Sequence, residues 1–167
     1  MVYVNMILAI GPRRFAGRLA AAGAAGAIVP DLPLEEAAKV RAALDAEGLA
    51  LVPLVAPTTP AERRARICAA AQGFVYVISD VGVTGERDEL PPALAELVAA
   101  VRSESELPAA VGFGIATPEQ AAAVGRIADG VIIGTRLVRE VSEAPDREAA
   151  VSGVTAFLQA TRDALAR

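Results

Sequence analysis

Short apolar runs alternate with longer alanine-rich segments along the whole chain, and this alternation limits the fold more than any other feature. The runs start near Val2, Ala27, Leu49, Phe74, Ala109 and Gly130, at intervals of 25, 22, 25, 35 and 21 residues. Each run is short and apolar at successive positions, as a strand covered on both faces of a parallel sheet must be. The segments between them, such as residues 35–44 and 92–101, carry helical periodicity, so the spacing predicts repeated strand–helix–strand units. Gly23, Gly26, Gly48 and Gly73 stand where a helix should hand over to a strand. Pro12, Pro33, Pro60, Pro92 and Pro118 stand at or near first helical turns, where a missing N–H costs nothing. Thr117, ahead of Pro118 and Glu119, reads as a helix N-cap. With no linker or low-complexity tract, residues 1–167 read as one domain.

Composition narrows the chemistry. Histidine is absent, which removes the commonest general base and metal ligand, so acid–base work would fall to carboxylates, tyrosine or lysine. The single cysteine, Cys68, cannot form an internal disulfide and reads as a packed thiol, in keeping with a reducing cytoplasm. A net charge of −4 gives no basic surface for nucleic acid or anionic membrane. No apolar stretch approaches the roughly 18 residues of a membrane span. Residues 1–8 have no basic leader and read as a strand.

Open doubly wound sheets and closed barrels both use this alternation. The glycine fingerprint of a dinucleotide fold does not follow the first run. The conspicuous glycines come late: Ser79-Asp80-Val81-Gly82-Val83-Thr84-Gly85, Gly112-Phe113-Gly114-Ile115 and Ile133-Gly134-Thr135-Arg136. Phosphate sites of β/α barrels commonly use the loops after the last strands and a short extra helix. Backbone N–H groups of Gly85, Gly114 and Gly134, with the Thr135 hydroxyl at a helix start, suit an anion. Any one of these glycines alone could merely make a tight turn; three at one barrel face favour a phosphate cradle. Arg136 could equally face solvent. The fold expected is α/β, a (β/α)8 TIM barrel lacking its first two βα units, with six parallel strand–helix units visible.

Together with Pro30-Asp31-Leu32-Pro33-Leu34-Glu35-Glu36 and Ala56-Pro57-Thr58-Thr59, these loops resemble the tryptophan synthase alpha-subunit family, in the family's own order and across essentially the whole chain. The resemblance implies a lyase of tryptophan biosynthesis that cleaves indole-3-glycerol phosphate to indole and glyceraldehyde 3-phosphate without metal or organic cofactor. It puts Gly85, Phe113, Gly114, Gly134 and Thr135 at phosphate-binding positions, with Thr135 in place of the more usual serine. It puts Tyr3, Tyr76 and Thr84 in the substrate pocket, and Asn5, Asp31 and Pro33 against a beta subunit. It reads residues 3–5 as the family's third strand, so the family's catalytic glutamate and aspartate map upstream of Met1. The cleavage needs two positioned acid–base groups, so the 167 residues alone are expected to be inactive. The alternative is a non-catalytic module of this fold that binds phosphate or a beta subunit.

Overall fold

The computed structural model describes residues 1–79, 93–112 and 114–166. Its strands are all parallel. β1 (Gly26–Ile28) pairs with β2 (Ala50–Val52), while β3 (Leu54–Val55), β4 (Val75–Ile78), β5 (Ala109–Gly112) and β6 (Gly130–Ile132) pair in sequence order. β2 and β3 are one run split at Pro53, which has no N–H to give. Its first half bonds to β1; the Pro53 carbonyl and the second half bond to β4. The result is a continuous parallel wall with β1 and β6 outermost among the described strands.

Helices follow the strands as the spacing requires: α3 (Ala38–Asp45), α4 (Ala61–Ala69), α5 (Leu94–Glu104), α6 (Pro118–Gly125), and then α7 (Thr135–Glu143) with α8 (Arg147–Leu165). α1 (Val4–Ile10) and α2 (Pro12–Ala21) precede β1. The α/β fold with parallel strands is therefore as expected, and the described strands do not close into a barrel.

Residues 1–8 do not form the expected strand. Only Val2 keeps a strand-like bond, from its N–H to the Ile28 carbonyl at 3.0 Å. From Val4 the chain is helical, and the Asp31 carboxylate accepts the Val4 N–H at 2.9 Å. An anion at a helix start satisfies an orphan donor and complements the dipole. The helix also buries Ile7 completely among Val40, Leu44 and Leu51 of α3 and β2. Seven apolar residues suit a strand or a helix by periodicity alone; here the cap and the packing decide.

Two apolar clusters hold the layers together. One lies around β1 and β2 with α1, α2 and α3; the other joins β3, β4 and β5 to α4, α5 and α6. Val75, Tyr76 and Val77 are buried in succession, as a strand covered on both faces must be. β6 is half-buried at all three residues, so the outer strand departs from that pattern.

Local signals behave as their chemistry requires. Thr117 caps α6 in a capping box, its hydroxyl accepting the Gln120 N–H and its own N–H reaching the Gln120 side chain, both at 3.2 Å. Gly23, Gly48 and Gly73 turn the chain with φ of 74°, 69° and 71°. Gly26 does not end a helix; it opens β1, where a Cβ would stand 3.0 Å from the Ala50 carbonyl carbon. Cys68 is buried on α4, and burial pushes its thiol pKa up.

Asp129 ties the amino ends of β5 and β6. Its carboxylate accepts the Ala109 N–H at 2.9 Å and pairs with Arg102. The Ala109 N–H first, and then Arg102, hold its carboxyl below the usual carboxylate range. A depressed folded pKa contributes stability that is complete above the unfolded value of about 3.9 and is lost as pH falls through the folded value. Asp129→Asn is therefore expected to lower stability at neutral pH and to flatten its decline below about pH 4. Urea midpoints at pH 7 and pH 3 check this; equal losses at both would contradict it.

Candidate functional site

The carboxyl ends of β4, β5 and β6 meet at one rim. Register pairs Ile78 with Gly112 and Gly112 with Ile132. The buried Ser79 donates its N–H to the Gly112 carbonyl at 3.0 Å. Two residues beyond each strand end stand Gly114 and Gly134, so the late glycine turns of β5 and β6 leave adjacent strands on the same side. Gly85, Thr84 and Phe113 lie outside the described residues, as does Asp80.

The two described glycines differ in kind. Gly114 holds a φ of 79°, a left-handed conformation that side chains rarely adopt. Gly134 has φ −120° and ψ −74°, open to any residue, and among the described residues no atom lies within 4 Å of where its Cβ would stand. Gly134 immediately precedes α7, whose first residue is the half-buried Thr135. The N–H groups of that first turn have no partner within the helix, and they carry its positive end. An anion is the group such a terminus receives.

Tyr76 stands on β4 at 3% exposure, and its hydroxyl lies against Gly112. A Cβ at residue 112 would fall 2.5 Å from the Tyr76 ring carbon that bears the hydroxyl. Burial pushes the phenol pKa up to about 12. It is therefore a neutral donor and a wall at physiological pH rather than a base. Tyr3 is 62% exposed, in extended backbone ahead of α1.

Asn5, Asp31 and Pro33 share one surface. The Asp31 bond to the Val4 N–H sets residue 31 beside the start of α1, where Asn5 is exposed, and Pro33 follows two residues later, also exposed. A cavity of about 400 Å³ opens beside Asp31 and Pro33, reaching Leu54 and the side chains of Arg41 and Arg63. Both arginines are engaged: Arg63 grips Glu35 through two bonds of 2.8 and 2.9 Å, and Arg41 donates to the Ala70 carbonyl.

Two features of the site are not plain in the sequence. Gly112 reads as part of a turn, whereas it ends β5 under the Tyr76 ring; a glycine inside a strand, itself a sign of close approach, is the signal for it. Arg136 does not simply face solvent: it pairs with Glu140 and lies over the Phe157 ring, 5.0 Å from its centre.

Comparison with known proteins adds relatives to this geometry. The family model described as tryptophan synthase alpha chain matches residues 1–166. The tryptophan synthase alpha chain of Chloroflexus aurantiacus is 46% identical over 167 residues, covering 100% of this chain and 62% of the relative. That of Chloroflexus aggregans is 46% identical over 159 residues, covering 95% and 59%. Among solved structures, a tryptophan synthase of Mycobacterium tuberculosis superposes with a TM-score of 0.87 at 37% identity, over 98% of this chain and 60% of that one. A tryptophan synthase alpha chain of Legionella pneumophila gives 0.83 at 37% identity, with the same coverage. The chain thus spans about three fifths of the length of the relatives it matches.

Proposed function

The chain belongs to the tryptophan synthase alpha-chain family, and on that footing we propose that it carries the phosphate-holding part of an indole-3-glycerol phosphate lyase. The observation that carries this reading is the adjacency of Gly114 and Gly134 beyond the paired ends of β5 and β6, with Thr135 opening a helix beside them. Backbone N–H groups at that rim grip the phosphate and fix one end of the substrate; the family resemblance assigns Gly85 and Phe113 to the same task. By the family resemblance the indole end lies toward Tyr76, with Tyr3 and Thr84 as the other candidates for its pocket. Positioning of this kind, with a fixed anchor and a walled ring, is how binding at a remote group serves the reacting bond.

The retro-aldol step breaks the bond between the indole ring and the glycerol chain. The ring carbon gains a proton, and the adjacent chain hydroxyl loses one as it becomes the carbonyl of glyceraldehyde 3-phosphate. Tyr76, held as a neutral phenol, supplies no base for this. Asp31 is committed to the Val4 N–H. Neither group is thus one of the family's two acid–base residues, and on this reading the 167 residues alone bind the phosphate end and release no indole. A colorimetric indole assay on the purified 167-residue chain, run beside a titration with glycerol phosphate, tests both halves. Indole release overturns the assignment of the acid–base pair, and failure to bind glycerol phosphate overturns the cradle.

The shared surface of Asn5, Asp31 and Pro33 supports docking on a tryptophan synthase beta subunit. Co-purification with that subunit, lost on Pro33→Asp, is the expected outcome.

A further inference from the structure

α7 begins at the glycine rim, yet none of its residues is buried, and Val138 and Val141 are 66% and 58% exposed. Its position depends on packing against α8. At that contact Arg136 pairs with Glu140 one turn on, and its guanidinium lies over the Phe157 ring of α8. Gly153, one turn before Phe157 on the same face of α8, leaves room for the pair; a Cβ there would stand 2.6 Å from Glu140 Oε2.

The helix dipole gives no reason for this arrangement, and the charge pair gives only a small one. A cation in the first turn opposes the dipole, and a basic residue ahead of an acidic one is the weaker order for an i,i+4 pair. The geometry points to Arg136 as a positioning residue for the phosphate end, with Gly153 as the notch that admits its pair with Glu140. Held between Glu140 and the face of Phe157, Arg136 fixes the first turn of α7, and so the amides of Gly134 and Thr135, against α8. A planar guanidinium is needed for this, because it stacks on a ring and bonds a carboxylate in one plane, as an ammonium cannot. The inference rests on the phosphate reading proposed above.

The test compares the full chain with Gly153→Ala and Arg136→Lys, titrated with inorganic phosphate and glycerol phosphate by calorimetry, alongside thermal midpoints. Alanine is the better helix former, and the Glu140 carboxylate is the flexible end of its side chain, so Gly153→Ala should hold or raise the midpoint. Both variants should bind roughly threefold to tenfold more weakly, within the range of couplings carried through packed neighbours. Arg136→Lys keeps the charge, so its loss of affinity separates positioning from simple attraction. Wild-type affinity in either variant overturns the inference, as does a midpoint that falls in both variants in step with affinity. If the unchanged chain binds neither ligand, the phosphate reading itself fails and this inference falls with it.

Discussion

Gly112→Val is expected to destabilise the chain by about 2–3 kcal/mol, the cost of forcing bulk into a packed interior, and Tyr76→Leu in the same chain is expected to recover much of it. The cause lies on two neighbouring strands. Tyr76 pairs with Ala110, two residues before Gly112, and its ring runs along β5 until the hydroxyl rests on the glycine. A side chain at 112 meets the ring carbon at 2.5 Å, a separation that no rotamer change at 112 relieves, because the Cβ itself is the clashing atom. Tyr76 is 3% exposed between two layers, so its ring cannot simply swing aside. Leucine at 76 ends short of residue 112 and opens the space, at the ordinary cost of a smaller core side chain. Urea denaturation of the four proteins in this cycle should give a coupling of about 1–3 kcal/mol in favour of the double variant. Additive losses would mean that the two residues do not oppose one another.

A second substitution separates folding from binding at the rim. Gly134→Val should cost no more than the loss of a weak helix cap, about 1 kcal/mol or less, while weakening glycerol phosphate binding by about tenfold to a hundredfold, the worth of one or two hydrogen bonds to a charged group. Neither backbone nor neighbours ask for glycine here: φ is −120°, and no described atom lies within 4 Å of a Cβ. On the proposed reading, the need for a bare backbone comes from a phosphate approaching its N–H. Gly114 is the contrast. Its φ of 79° makes any side chain a folding cost of roughly 1–3 kcal/mol, so Gly114→Val should lose stability and affinity together. A Gly134→Val chain that binds as well as the original would remove residue 134 from the cradle.

The sequence made the repeat, the helix punctuation and the late glycine turns legible because each rests on local chemistry. Runs at residues 27, 49, 74, 109 and 130 carry strands because short, continuously apolar stretches stand there between helical segments, and Thr117 caps α6 because its hydroxyl stands three residues before Gln120. The failure at residues 4–10 has the complementary cause. Asp31, 27 positions away, supplies the cap that makes the helix, and nothing within the segment announces it. The break at Pro53 is a structural finding: a proline inside a run cannot donate to the ladder, and the run that starts near Leu49 divides there. The seat of Arg136 over the Phe157 ring was hidden for the same reason as the cap: it joins two helices whose mutual angle no local pattern encodes, whereas its pair with Glu140 lies one turn on in the same helix. Of the site, the glycine spacing was readable and the Tyr76–Gly112 contact was not, because it depends on register between β4 and β5.

Amide chemical shifts of the 15N-labelled chain during a glycerol phosphate titration address the cradle most directly. Saturable shifts concentrated on Gly114, Gly134 and Thr135, with Gly48 and Gly73 at the helix-to-strand turns unmoved, are expected. Shifts absent from those three residues, or spread evenly over both sets of turns, would contradict a phosphate site at the rim of β5 and β6.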